Sequence, residues 1–413
     1  LAINYSTVYN KNSFWRKPLL NAFSKMSKGR LDLVLPEKQI VSYGDSNQNQ
    51  IARIEINSEN FFKRCILYGD IGFAESFLDK EWETDDIASV IAWFIINLEN
   101  APGLSGSKAP KNRALNILRY LNRVGHIFSK NSKDQAKRNI AAHYDLSNEF
   151  FSLFLDSSMM YSSAKWSEPN LSLEAAQFEK NEALCRSLEL KPTDHVLEIG
   201  SGWGGWALHA ARRYGCKVTS ITLSKEQLKL AKNKALDAKL DHLVEFELRD
   251  YRDLNKHFDK LVSIEMMEAI GHEYLPQFCS VINKALKSNG IAALQFITCP
   301  DDHYEEMRRG VDFIQKHIFP GSLLLSLGRF NSLMHKSGSF VLSGIDDLGL
   351  DYAKTLKLWH ERFNAQLPSV NAMGFDEYFI RKWKYYLAYC EAAFQYKKIS
   401  VVQAVYKRST ALA

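Results

Sequence analysis

His195-Val196-Leu197-Glu198-Ile199-Gly200-Ser201-Gly202-Trp203-Gly204-Gly205 is the stretch whose reading decides the fold. An apolar run holding a single acid reads as a strand over His195–Gly200. The glycines form a turn, and Gly204–Tyr214 follows as a helix. Working outward, strands are expected at Cys216–Leu223, Leu243–Asp250, Lys260–Met266 and Ile291–Thr298, with helices at Lys225–Ala238 and Tyr274–Lys287. Strand and helix in strict alternation predict a doubly wound α/β sheet. Asp301–Lys336 breaks the rhythm and reads as a mostly helical insertion. Helices at Tyr352–Ala365 and Asp376–Gln395 and a strand at Ser400–Lys407 follow it.

With 413 residues the chain is too long for one ordinary core. Hydrophobic residues at 46% and charged residues at 24% exclude disordered, collagen-like and disulfide-scaffold classes. The longest strongly apolar run, Ile87 to Leu98, is too short for a bilayer that needs about 20 residues. No basic segment followed by an apolar one opens the chain, so no signal peptide is expected. Six scattered cysteines without a CxxC pair argue against a zinc site or disulfide framework, and no metal is expected. They fit a reducing cytoplasm.

Residues 1–100 read as a small α+β domain with strand Ile51–Ile56, helices Phe61–Leu67 and Asp86–Leu98, and an aromatic core of Phe61, Phe62, Phe73, Phe77, Trp82 and Trp93. Residues 101–140 read as a basic linker and amphipathic helix, and 141–413 as the catalytic domain, with its insertion at about 300–340. The net charge of +6 is concentrated: Ala101 to Ala142 holds nine Lys/Arg against one Asp. Such a stripe suits an anionic partner, and with apolar residues at helical spacing an anionic membrane surface fits. A solvated linker is the plain alternative. Nucleic acid is not expected, because no aromatic–basic stacking array accompanies the charge.

Taken literally, the glycine turn matches the dinucleotide pattern G-x-G-x-x-G. Two features turn the reading. Glu198 ends the strand just before the first glycine, where it can accept from a cationic ligand. The second strand ends Ser220-Ile221-Thr222-Leu223 without the carboxylate that a ribose wants. E-x-G-x-G-x-G is the motif of S-adenosylmethionine methyltransferases, so a class I methyltransferase, Rossmann-like fold is expected.

The remaining motifs are more specific. His143-Tyr144-Asp145-Leu146-Ser147-Asn148, Met160-Tyr161-Ser162-Ser163-Ala164, Val196–Gly205, Thr222–Gln227, Asp250-Tyr251-Arg252-Asp253-Leu254, Met267-Glu268-Ala269-Ile270-Gly271, Phe313–Gly321 and Tyr352 with Glu361-Arg362-Phe363 together resemble the cyclopropane fatty acid synthases. The resemblance runs from about Ala141 to the C-terminus, and more faintly through Phe61–Glu83. It implies transfer of the methyl carbon of S-adenosylmethionine to a cis double bond in a phospholipid acyl chain. The alkene attacks, a carbocation forms next door, and loss of a proton closes a cyclopropane. It implies cofactor contacts at Tyr161, Ser162, Glu198, Gly200, Gly202, Trp203, Gly204, Thr222, Leu223 and Gln227, with Asp250 and Tyr251 flanking the adenine. Aromatic walls for the cation are expected from Tyr144, Tyr161, Trp166, Phe296, Tyr304, Phe313 and Tyr352. A cytoplasmic enzyme peripheral at the inner membrane face is expected, and a homodimer, since some relatives pair through the N-terminal domain.

The family's bound bicarbonate, which accepts the proton, is held by a Cys, a Glu, a His, a main-chain amide and a Tyr. By resemblance Glu268, Ile297 (backbone) and Tyr352 retain three of these positions here. Ser163 stands at the Cys position and Gln295 at the His position, and Ala269 replaces the His of the Glu-His pair. Ser and Gln still donate hydrogen bonds, but the ionisable imidazole is lost. Methyl transfer is therefore expected, with C-methylation lacking ring closure as the alternative product. A small-molecule methyltransferase and a catalytically silent lipid-binding protein are the other readings.

Overall fold

The computed structural model describes residues 14–45, 50–97 and 146–409. The basic stretch at 101–140 and the wall residue Tyr144 lie outside the described residues. Backbone packing divides the chain into two units, Leu1–Arg123 with Phe375–Ala392, and Val124–Gly374 with Ala393–Ala413.

The first unit begins with helix α1 (Arg16–Phe23), then strands β1 (Arg30–Val34), β2 (Ile40–Gly44) and β3 (Ile51–Ile56). Helix α2 (Asn60–Leu78), strand β4 (Trp82–Glu83) and helix α3 (Ile87–Asn97) complete its N-terminal part. Its sheet has the order β2-β1-β3-β4, with only the β1–β3 pair parallel. The six aromatics expected in its core are all buried. Helix α2 runs longer than its expected Phe61–Leu67 because it continues through a kink at Gly69. Arg381, in the segment Phe375–Ala392, donates to the carbonyls of Phe77 (2.6 Å) and Trp82 (3.2 Å) and to Glu83 (3.0 Å). Its guanidinium also covers the Phe77 ring at 4.0 Å. Sequence alone placed that segment in the catalytic domain.

The second unit opens on α4 (Asn148–Ser152) and α5 (Leu173–Ser187). The alternation follows: β5 (His195–Ile199), α6 (Gly205–Tyr214), β6 (Lys217–Thr222), α7 (Lys225–Asp237), β7 (Val244–Leu248), β8 (Phe258–Ile264), α8 (Leu275–Ala285) and β9 (Leu286–Cys299). The insertion holds α9 (Tyr304–Arg309), α10 (Phe313–His317), β10 (Leu325–Ser326) and α11 (Leu327–Gly338). Strand β11 (Phe340–Asp347), α12 (Gly349–Ala365), α13 (Leu367–Ala372), α14 (Glu377–Gln395, shared between the units) and β12 (Ser400–Arg408) close the chain.

The large sheet runs β11-β12-β9-β8-β5-β6-β7, with β10 beside β9. Strands β5 to β9 are parallel, and β12 alone opposes its neighbours. Alternation sends Val196, Val218, Val262 and Ala293 to one apolar cluster and Leu197, Ile199, Leu261 and Leu294 to the other. Both faces of the central strands are therefore buried, as a parallel sheet covered by helices requires. Strand order reverses between β5 and β8, which opens a crevice at their C-terminal ends. Ligands of such folds bind at that point.

Candidate active site

The crevice is walled by five segments, the last of them the loop after β8. After β5, the amides of Gly200 and Ser201 both donate to the Ile221 carbonyl at 3.0 Å, which pins the glycine turn to β6. Gly202 has φ +49° and open space where a side chain would begin; Gly204, at φ +85°, instead abuts Phe246 and Ala231. The wall accordingly includes Gly200, Ser201, Gly202 and Trp203 but not Gly204. The Trp203 indole donates to Asn148 at 2.6 Å and packs on Phe151. After β6, Thr222, Leu223 and Gln227 reach the crevice. Ser224 caps α7, accepting from the Gln227 amide. Thr222 accepts from the Ser224 amide and donates to the Gln227 side chain. After β7, Arg249, Tyr251 and Arg252 form the wall. The Asp250 carboxylate is turned to Arg252, accepting from its amide, Nε and Nη2 at 2.9, 2.8 and 2.7 Å.

The fourth wall comes from the segment before α5. Asp156 accepts from the amides of Ser158 and Met160 and so shapes the turn that delivers Tyr161 and Ser162. Tyr161 is surrounded by Phe151, Phe319 and Trp359. Ser162 accepts from the fully buried ammonium of Lys180 at 3.1 Å, and its carbonyl from Gln177 at 2.9 Å.

The remaining predicted residues sit behind the end of β8, where Glu265 lines the crevice in the left-handed region (φ +48°). Its Oε1 accepts from the Ser163 amide at 2.9 Å and from Gln295 Nε2 at 2.7 Å, and its carboxylate also hydrogen-bonds Tyr352. The Ser163 hydroxyl is spent on the Ala164 carbonyl, so its main chain serves the site: the amide donates to Glu265 and the carbonyl accepts from Gln295 Nε2 at 3.3 Å. Gln295 Oε1 accepts from Gln403 at 3.0 Å, which fixes the amide with its NH₂ toward Glu265. Glu268 Oε1 accepts from the Ile297 amide; Glu268 is 9% exposed, and its Oε2 has no hydrogen-bond partner among the described residues.

Burial controls the charges here. It pushes the Glu198 carboxyl up to about 8, against a hydrogen bond from Ser220 and the Lys180 charge. Glu268 also rises to about 8, first by desolvation and then by the neighbouring Glu265. Glu265 is raised by burial, opposed by its donors and Lys180. Desolvation lowers Lys180 to about 8, although Glu265, Asp156 and Glu198 all favour its charged form.

The mycolic acid cyclopropane synthetase family matches residues 131–404. The chain belongs to that family. As a member it is an S-adenosylmethionine-dependent methyltransferase. Over 353 residues it is 36% identical to the tuberculostearic acid methyltransferase UfaA1 of Mycobacterium tuberculosis, covering 83% of this chain and 79% of the relative. It is 35% identical over 364 residues to the cyclopropane-fatty-acyl-phospholipid synthase of Escherichia coli K12, covering 88% and 89%. Among solved structures, the mycolic acid cyclopropane synthase CmaA1 complexed with SAH and CTAB superposes with a TM-score of 0.62 at 30% identity. That match covers 66% of this chain and 98% of CmaA1.

The crevice of this cyclopropane synthetase family member suits S-adenosylmethionine in two respects: the cradle at Gly202 has room that a side chain would fill, and a buried acid stands at the end of β5. The expected cation walls divide. Tyr161 lines the crevice, and Tyr352 reaches Glu265 beside it. Phe296 is packed into the sheet core against Phe330, and Tyr304 into a small cluster with Cys299 and Leu323. Trp166 is held by Asp351 and Thr355, and Phe313 is buried at the start of α10. Sequence reading missed Glu265, Lys180, Arg249 and Arg252. For Glu265 a signal existed: like Glu198, it is an acid at the end of a parallel strand flanking the switch point.

Proposed function

We propose that the enzyme delivers the methyl carbon of S-adenosylmethionine to the cis double bond of an unsaturated fatty acyl chain in a membrane phospholipid, with a cyclopropane fatty acid as the ring-closed product. The observation that carries this reading is the Glu265 carboxyl, which lines the cofactor crevice and hydrogen-bonds Tyr352, with a second buried carboxyl, Glu268, near enough to feel its charge. An amine or hydroxyl acceptor needs one base at most, whereas a carbocation route needs proton removal from carbon in a place shielded from water. The E. coli relative's name, cyclopropane-fatty-acyl-phospholipid synthase, supports the same acceptor class.

When bound, the cofactor supplies an electrophilic methyl group. The residues of this chain do the rest. Glu198 and the Gly200–Trp203 turn hold the cationic amino-acid end. Tyr161, Leu223, Tyr251 and the Met159–Met160 pair exclude water. A carboxylate at the crevice wall receives the proton. The basic segment at 101–140 would hold the protein peripherally on an anionic leaflet from the cytoplasmic side.

C-methylation without ring closure is the second reading. It is favoured by Ser163 and Gln295 at the Cys and His positions and by similarity to a tuberculostearic acid methyltransferase. Mass spectrometry of lipids from cells expressing the protein separates the two. Both products gain one CH₂; a gain that resists mild hydrogenation is a ring, and one that takes up hydrogen is a methylated alkene. Lipids unchanged in mass, with S-adenosylhomocysteine still bound by the protein, would refute both.

A further inference from the structure

The donors that the family resemblance assigns to bicarbonate are already engaged by carboxylates of the chain itself. The Ser163 amide (2.9 Å), Gln295 Nε2 (2.7 Å) and Tyr352 converge on the carboxylate of Glu265. A carboxylate has the planar two-oxygen shape of bicarbonate and accepts the same donors. It also lines the cofactor crevice, so it faces the reacting groups. Bicarbonate does not fit beside it, because its donors are taken. We propose that Glu265 is a catalytic residue of this enzyme, the built-in base that takes the proton from the methylated acyl cation in place of bicarbonate.

The step balances as follows. After the methyl carbon bonds to one alkene carbon, the other carries the positive charge. A C–H bond then breaks and its proton passes to a Glu265 oxygen: if the bond belongs to the transferred methyl group, its electron pair joins that carbon to the cationic centre and closes the ring, and if it belongs to a chain carbon next to the cationic centre, the pair forms a new double bond. The carboxylic acid then returns its proton to solvent. Gln295, locked by Gln403, and Lys180, beside Ser162, act through Glu265 and are positioning residues.

This inference rests on the acyl-chain reading above, and the test keeps the two apart. The full-length protein is assayed with S-adenosylmethionine and dioleoyl phosphatidylglycerol vesicles in CO₂-purged buffer, with and without added bicarbonate. Wild type is expected to turn over equally in both. Glu265→Gln, which keeps the shape, should bind S-adenosylhomocysteine within a few-fold of wild type yet lose about 10²–10⁴ in rate. Glu265→Ala, which leaves the backbone conformation as constrained as before, should regain rate with added formate or bicarbonate. A wild-type rate that depends on bicarbonate, or a Glu265→Gln variant with normal turnover, overturns the proposal alone. A wild type that binds S-adenosylhomocysteine but modifies no unsaturated lipid overturns the acyl-chain reading and the proposal with it.

Discussion

Gly202 and Gly204 occupy the same turn, both in left-handed backbone, and alanine at each should fail for a different reason. Either substitution forces an L side chain into that region, at about 1–2 kcal/mol. At Gly202 the new methyl meets nothing within 4 Å; at Gly204 it would lie 2.8 Å from Phe246 Cζ and 3.2 Å from Ala231 Cβ. Phe246 and Ala231 are both buried, so relief requires repacking the core beneath α7, which adds about 1–3 kcal/mol. The expected costs are therefore ~1–2 kcal/mol for Gly202→Ala and ~2–5 kcal/mol for Gly204→Ala. For a unit of about 270 residues, unfolding entropy near 2.1 cal/mol/K per residue converts 1 kcal/mol into ~2 °C. Melting should fall by ~2–4 °C in the first variant and ~4–10 °C in the second. Ligand binding should rank them the other way. The Gly202 methyl projects into the cofactor cradle and should weaken S-adenosylhomocysteine by roughly tenfold, about 1.4 kcal/mol. Folded Gly204→Ala should lose less. Differential scanning calorimetry and titration calorimetry on both variants measure the crossing. If Gly202→Ala melts lower than Gly204→Ala, or binds the ligand as wild type does, the assignment of the turn is wrong.

Glu198→Gln should weaken S-adenosylmethionine by about 10–100-fold, the loss of a charge-assisted hydrogen bond. Because the free carboxyl titrates near 8, wild-type affinity should rise from pH 6 to pH 8.5 while the variant stays flat, as isothermal titration at several pH values would show. Glu268 is also raised to about 8, so the folded state holds a proton there that the unfolded chain releases near 4.5. Stability should therefore decline as pH climbs from about 5 to 8. Glu268→Gln should flatten that decline and be more stable than wild type at pH 8.5, on the order of 1–2 kcal/mol by urea unfolding. Arg381→Ala removes three hydrogen bonds and the guanidinium that covers the Phe77 ring, leaving the Phe77 carbonyl only its backbone donors at the end of α2. A loss of about 3–5 kcal/mol is expected in denaturant unfolding followed by tryptophan fluorescence, and Arg381→Lys should recover less than half of it.

How much of this was legible depends on where the forces act. The β5 turn could be read because glycine spacing and one acid are local signals, and β5, β6 and α7 end within one or two residues of expectation. Helix α5 was invisible. Its buried face carries Gln177, Lys180, Asn181 and Glu182, so the apolar stripe that marks a helix is broken by polar residues, of which Gln177 and Lys180 hold Ser162 at the site. Strand β11 was missed because it is an exposed edge with little alternation. Strand β9 begins five residues early, at Leu286, since its first residues are mostly exposed and polar. In the site, motif resemblance led to Glu268 and passed over Glu265 three residues before it. Only the fold shows that donors from three separate segments meet on Glu265.

The exchange of histidine for glutamine at 295 then has a physical rationale beyond loss of a titratable group. An imidazole can surrender its hydrogen bond as pH changes, and it competes with neighbouring acids for the same proton. An amide cannot. Gln295 gives its carbonyl to Gln403 and its NH₂ to Glu265, a donor that persists at every pH. With the Ser163 amide and Tyr352 it holds negative charge on Glu265, whereas Glu268 has a single amide donor and one oxygen with no hydrogen-bond partner among the described residues. The charge of Glu265 adds to the burial that raises Glu268, and the donor asymmetry favours the charged form more at Glu265 than at Glu268. Burial raises Glu265, and these donors together with the Lys180 ammonium oppose that rise and favour its charged form. Replacing Gln295 by His alone would disturb this division. A bicarbonate-type donor set and a resident carboxylate are alternatives, and this chain carries the second.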